Sequence, residues 1–193
     1  MSKLLQGSII MLGLMAGCSP SEATAKAMPV AATPGKAVVV YFSATGTTKG
    51  VAERLAAAAG ADIFEIRPET PYTDADLNWR DSSSRSSVEM SDRSCRPAIA
   101  APVPNVAEYD TVYVGFPIWW GREPSIIDTF VESSAAVLAG KTVVPFATSG
   151  SSGMGDTSDN LQALASNAKV VEGRRFRASV SAEDLKAWAA REK

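Results

Sequence analysis

The sequence predicts an α/β protein: a doubly wound, mostly parallel sheet covered by helices on both faces, in three layers. Three observations lead there. Apolar, β-branched runs at Ala37 to Ser43, Thr111 to Phe116 and Thr142 to Thr148 show no in/out alternation, the pattern of parallel strands buried on both sides. Stretches with helical spacing separate them. The segments that follow the first and last of these strands are rich in Gly, Ser and Thr, as expected where a sheet of this kind meets a ligand.

In chain order, Ala37 to Ser43 (AVVVYFS) reads as a central strand. Gly46 to Gly60 places Val51, Leu55 and Ala58 or Ala59 at helical spacing, with Gly60 as a stop. Asp62 to Arg67 alternates and reads as a second strand near an edge, closed by Pro68 and Pro71. Tyr72 to Asn105 is dense in Ser, Asp, Arg and Pro, so an irregular excursion is expected, with at most a short helix near Thr73 to Trp79. Thr111 to Phe116 and Thr142 to Thr148 are the next strands, with a helix from about Pro124 to Leu138 between them. A further helix is expected over Thr157 to Asn167 and a fifth strand near Lys169. A last helix, Glu183 to Glu192, begins at Ser181.

Residues ahead of the first strand carry an address. One cation, Lys3, precedes an apolar run from Leu4 to Leu14 and the small residues Ala16 and Gly17 before Cys18. A membrane span needs roughly 20 apolar residues, so a signal peptide is the better reading. Leu14-Met15-Ala16-Gly17-Cys18 resembles a bacterial lipobox, with Met15 where Leu is usual, which implies lipidation at Cys18. Ordinary cleavage after Ala25 or Ala27 is the competing reading. The division is then a signal peptide over 1–17, an Ala/Pro/Ser/Thr-rich tether over 18–35 and a folded domain over 36–193. The chain would be exported, either as a membrane-anchored lipoprotein facing the periplasm or cell exterior or as a soluble periplasmic protein.

Composition narrows the chemistry. A formal charge of -2 without a basic face leaves nucleic acid no footprint. The absence of His removes the commonest general base and most transition-metal sites. No metal site is expected, and an organic cofactor becomes the more natural source of chemistry. The two cysteines, Cys18 and Cys95, lie in unlike settings and are not expected to pair.

Three post-strand loops supply the candidate site. Ser43-Ala44-Thr45-Gly46-Thr47-Thr48 combines a glycine with four hydroxyls and opens into a helix, where backbone N–H groups can hold a dianion. A helix start rich in Ser and Thr for capping alone would look similar. Neither a Walker-type GK[ST] ending nor G-x-G-x-x-G is present. The loop resembles the FMN phosphate loop of flavodoxins. The second loop, Pro117-Ile118-Trp119-Trp120-Gly121, is similar to a flavodoxin-like subfamily with a PIWWG segment. Two adjacent Trp cannot both enter one core, so at least one should lie on the ligand rim. The third loop supplies Thr148, Ser149, Gly150, Ser151, Gly153 and Gly155, where the resemblance places the flavin's polar edge and ribityl chain.

The resemblance implies a flavodoxin-like doubly wound three-layer sandwich with a five-stranded parallel sheet in the order 2-1-3-4-5. It implies FMN as cofactor and no catalytic side chain, since the cofactor carries the redox chemistry. Backbone groups around Trp119 to Gly121 are candidates to meet the flavin N5 edge. The mild charge and the absence of an aromatic from Ser149 to Asp156 depart from electron-carrier flavodoxins. They favour an oxidoreductase passing electrons or hydride from NAD(P)H to a quinone or other small acceptor. An electron-transfer protein serving a membrane or periplasmic redox partner is the alternative, and a flavin-free binding module a third. Tyr72 to Arg96, with Tyr72 and Trp79, is either a lid over the ring or a solvated loop. The signal has no twin-Arg pair, which implies export unfolded and uptake of FMN outside the cytoplasm.

Overall fold

A computed structural model describes residues 35–192. The signal peptide, Cys18 and the tether through residue 34 lie outside the described residues. Among the described residues, no helix is long and apolar enough to cross a membrane.

The strands are β1 (Ala37–Tyr41), β2 (Asp62–Glu65), β3 (Thr111–Pro117), β4 (Thr142–Thr148), β5 (Lys169–Val170) and β6 (Arg174–Phe176). The helices are α1 (Thr47–Ala59), α2 (Arg85–Ser91), α3 (Ser125–Leu138), α4 (Thr157–Leu164) and α5 (Ala182–Ala189). The sheet is parallel in the order β2-β1-β3-β4-β5, with β6 also paired to β4. This is the flavodoxin-like sandwich that the sequence predicts.

The unalternating strands are buried on both faces because successive side chains enter different cores. Val38, Val40, Val112, Val114 and Phe116 face one side, with Ile127, Phe130 and Val131 of α3 and Leu161 of α4. Val39, Tyr41, Tyr113, Val144 and Phe146 face the other, with Val51 and Leu55 of α1 and Leu185 and Trp188 of α5. Trp188 anchors that second layer, its ring 5.1 Å from Phe176 and 5.7 Å from Tyr113. Gly115 leaves room for the Phe146 ring on the neighbouring strand: an added Cβ would lie 2.2 Å from it.

Local signals set the helix ends. Gly60 ends α1 in the left-handed region, at φ 63°, as a C-terminal glycine does. Ser181 caps α5 by accepting the Asp184 N–H at 3.0 Å.

Two expectations need correction. The fifth strand starts at Lys169 but lasts two residues, and its position in the sheet resumes as β6. Pro145 is the reason. Val171 N–H bonds the Val143 carbonyl at 3.0 Å, as a ladder rung does. The next rung of a parallel ladder would need the N–H of residue 145, which proline lacks. Pairing therefore stops and restarts opposite Phe146.

The excursion does contain one short helix, but at Arg85–Ser91 and not near Thr73 to Trp79. Around Thr73 the Asp76 carboxylate accepts both the Thr73 N–H and its hydroxyl, closing a local turn that competes with helix. Ser84 instead caps α2 by accepting the Ser87 N–H, and Arg85 pairs with Glu89 one turn on, at 2.6 Å.

Candidate functional site

The three loops meet beyond the carboxyl ends of β1, β3 and β4. The first contains an α1 start whose N-cap, Gly46, sits at φ 84° with no side-chain cap and no acidic residue in the first turn. The hydroxyls of this loop therefore do not serve as caps. Thr45 and Thr47 approach each other at 3.4 Å, and buried Thr48 bonds the Thr148 hydroxyl at 2.8 Å, tying the first loop to β4. Ser43 Oγ is buried without a partner. A helix N-terminus with free N–H groups, a partial positive charge and an unpaired hydroxyl is suited to a phosphate.

The second loop is a tight turn. Trp119 N–H donates to the Arg122 carbonyl at 2.9 Å, and Arg122 N–H returns to the Trp119 carbonyl at 3.0 Å. Its central residues, Trp120 and Gly121, have φ of 47° and 83°, the pattern of a type I′ turn. A bulky residue rarely adopts that conformation, so Trp120 is held there at a cost. The adjacent rings part as expected. Trp119 packs edge-on against Phe42 and Tyr72, at 5.6 and 5.5 Å, whereas Trp120 is 51% exposed.

The third loop divides. Thr148, Ser149 and Gly150 line a cavity of about 510 Å³ with Thr45, Thr47 and Pro117. Arg177 also lines it, a cation that the loop-by-loop reading of the sequence missed. Ser151 and Gly153 are exposed and line neither this cavity nor the next, and the Ser149 hydroxyl accepts the N–H groups of Ser151 and Ser152. Gly155, at φ 58°, backs the Trp turn: a Cβ there would lie 2.3 Å from the Gly121 carbonyl oxygen.

A second cavity, of about 360 Å³, is lined by Ser43, Ala44, Thr45, Thr48, Pro117, Ile118, Trp119 and Trp120. Leu77, Trp79 and Ser86 complete its wall, so the excursion borders the site and is not merely a solvated loop. Tyr72 holds that segment in place. Its hydroxyl donates to Glu89 Oε2, the Arg85 guanidinium lies 4.1 Å over its ring, and burial with the Glu89 charge pushes its pKa up. Farther on, Arg93 pairs with Asp156 of the third loop and Arg96 with Glu132 of α3.

Beneath the Trp turn lies a buried ionic cluster that the sequence reading did not single out. Arg122, Glu123 and Asp128 are 5%, 0% and 2% exposed. The Arg122 guanidinium donates to Asp128 at 3.3 Å, to the Ser125 hydroxyl at 3.3 Å and to the Glu123 carbonyl at 3.1 Å. Thr157 donates to Glu123, and the Asn160 amide donates to both Glu123 and Asp128, at 2.7 and 3.0 Å. Burial, then the neighbouring Glu123 charge, pushes the Asp128 carboxyl up to about 7. The turn is thus bolted to α3 and α4 by charge-assisted hydrogen bonds.

The FMN implied by the sequence resemblance can be tested against these features. An uncapped helix start with an unpaired hydroxyl suits its phosphate, hydroxyl-bearing Thr148 and Ser149 suit its ribityl chain, and the flat faces of Trp119, Trp120 and Trp79 suit its ring. The residues fit the group.

Residues 36–192 match the family model described as Flavodoxin. The chain belongs to the flavodoxin family. Two solved structures assigned as flavoproteins align closely with this flavodoxin-family chain. That from Bacteroides eggerthii is 47% identical, covers 81% of this chain and 96% of its own, and gives a TM-score of 0.75. That from Bacteroides uniformis is 48% identical, covers 81% and 98%, and gives 0.74. A Lactobacillus acidophilus flavoprotein solved in complex with FMN shares the fold at 20% identity and a TM-score of 0.63, over 80% of this chain and 99% of that one. No curated protein matches.

Proposed function

We propose that this chain is an FMN-dependent oxidoreductase of the PIWWG type, moving electrons or hydride from NAD(P)H to a quinone or another small acceptor. The observation that carries the reading is the pairing of an uncapped, hydroxyl-rich helix start with an aromatic-walled cavity at one sheet edge. FMN supplies one- or two-electron transfer at its ring when bound. The chain's residues bind it, orient it and govern access. The third loop places no aromatic beside the site, which leaves room for a small molecule to approach one face. The membrane-partner electron carrier is the competing function, and its bearing is the exposed aromatic pair Trp79 and Trp120 at the rim.

Titrating FMN into the purified protein, with flavin fluorescence as readout, should show saturable quenching at one FMN per chain. A protein that does not bind FMN would sink the reading. Steady NAD(P)H oxidation with a quinone acceptor is expected of the bound form, whereas turnover only with a protein donor would favour the carrier.

We also propose export and lipid anchoring through Cys18, supported by the lipobox-like Leu14 to Cys18 segment. Metabolic labelling with a radioactive fatty acid should mark the wild-type chain and not Cys18→Ala. Equal labelling of both would reject the anchor.

A further inference from the structure

Ser86 on α2 is 2% exposed, lines the 360 Å³ cavity, and its hydroxyl has no hydrogen-bond partner. The helix does not need that hydroxyl. The cap is made by Ser84, whose oxygen takes the Ser87 N–H and whose hydroxyl donates to Ser87 Oγ at 2.9 Å. The Ser86 backbone N–H is separately engaged by the Asp76 carbonyl, at 3.0 Å. A buried hydroxyl without a partner is destabilising, and native proteins keep few of them. Among the described residues, three buried side-chain polar atoms lack partners, and two of these, Ser43 Oγ and Ser86 Oγ, line this one cavity. The third, Arg54 Nε, belongs to a guanidinium that already bonds the Ala178 carbonyl. Around the two hydroxyls the wall is mainly aliphatic and aromatic, so neither finds a substitute acceptor there.

We propose that Ser86 is a direct FMN ligand, donating a hydrogen bond to the cofactor from the excursion, so that the site is built from four segments and not from three loops. This rests on the FMN reading above. FMN brings phosphate and ring carbonyl oxygens, acceptors of the kind the hydroxyl lacks. The excursion then acts as a cofactor-binding wall: Leu77 and Trp79 supply apolar surface, and Ser86 supplies the polar contact that fixes position.

The test compares the full chain with Ser86→Ala and with Ser91→Ala, a control on the exposed side of the same helix. FMN affinity is measured by fluorescence quenching, and the thermal midpoint is measured on the FMN-free proteins. Loss of one hydrogen bond to the cofactor predicts about tenfold weaker FMN binding for Ser86→Ala. Its FMN-free midpoint should be equal to or above that of the wild type, because an unpaired buried hydroxyl has been removed. Ser91→Ala should match the wild type in FMN affinity. An unchanged FMN affinity in Ser86→Ala, or a lowered FMN-free midpoint, overturns the proposal. Failure of the wild type itself to bind FMN instead overturns the reading on which it rests.

Discussion

Replacing Arg122 with Met should destabilise the protein by about 3–5 kcal/mol in urea unfolding near neutral pH, because it strips the countercharge from a buried carboxylate. Glu123 is fully inaccessible, and without Arg122 its remaining support is the Thr157 hydroxyl and the Asn160 amide. Those two neutral donors do not offset the desolvation of a charge. The sign of the effect can be checked internally. Adding Glu123→Gln to Arg122→Met removes the orphaned charge, so the double variant should recover part of the lost stability. A single-variant loss under about 1 kcal/mol, or a double variant less stable than the single, would show that the cluster is not held by charge pairing.

The same substitution reaches the candidate site. Arg122 closes the Trp119–Arg122 turn with its backbone and anchors it with its side chain. Trp120 is held at φ 47°, a conformation that persists only where its surroundings over-determine it. Freed from α3, the turn can relax and move the Trp120 ring off the cavity rim, so Arg122→Met should weaken FMN binding as well as folding. Gly155 limits that relaxation, since it packs on the Gly121 carbonyl.

What was legible in the sequence was what local chemistry determines. The apolar runs fixed the buried strands, Gly60 the end of α1 and Ser181 the start of α5, because each acts within a few residues. The adjacent Trp pair also declared itself, as two large rings cannot share one inward direction. The Pro145 interruption was readable in principle, but only with the register of the neighbouring strand in hand. Trp79 was legible only as one side of an open choice between lid and solvated loop, and Leu77 and Ser86 were hidden, because a Ser- and Asp-rich stretch looks solvated until α2 docks, through the Ser125 hydroxyl on the Glu89 carbonyl. The Arg122, Glu123 and Asp128 cluster was hidden for a related reason. Charged residues read as surface unless their partners are known, and Thr157 and Asn160 arrive from a helix more than thirty positions downstream.

Asp128→Asn should remove a pH dependence of stability on the order of 2–4 kcal/mol between about pH 4 and pH 7. The wild-type carboxyl moves from its ordinary value of 3.8 to about 7 in the folded state, driven first by burial and then by Glu123, against the opposing charges of Arg122 and Arg96. At about 1.4 kcal/mol per unit the full shift sets the upper end of that range. Arg93 also faces the cluster, although its own bond goes to Asp156. The folded state holds this proton where the unfolded chain has released it, so stability falls as pH rises through the window and levels off above about 7. The stabilising contribution is fully present below the unfolded value and lost at the folded one. An amide stays neutral throughout and still offers an oxygen to Asn160 or Arg122. Urea unfolding from pH 4 to pH 8 should therefore find the variant close to the wild type at pH 4 and more stable than it at pH 8. Acidic groups elsewhere, such as Asp76 and Asp92, whose hydrogen bonds hold their carboxyls down, are common to both proteins and cancel in the difference. A difference that stays constant across that range would mean that Asp128 is ionised in the folded protein throughout, with Arg122 outweighing burial.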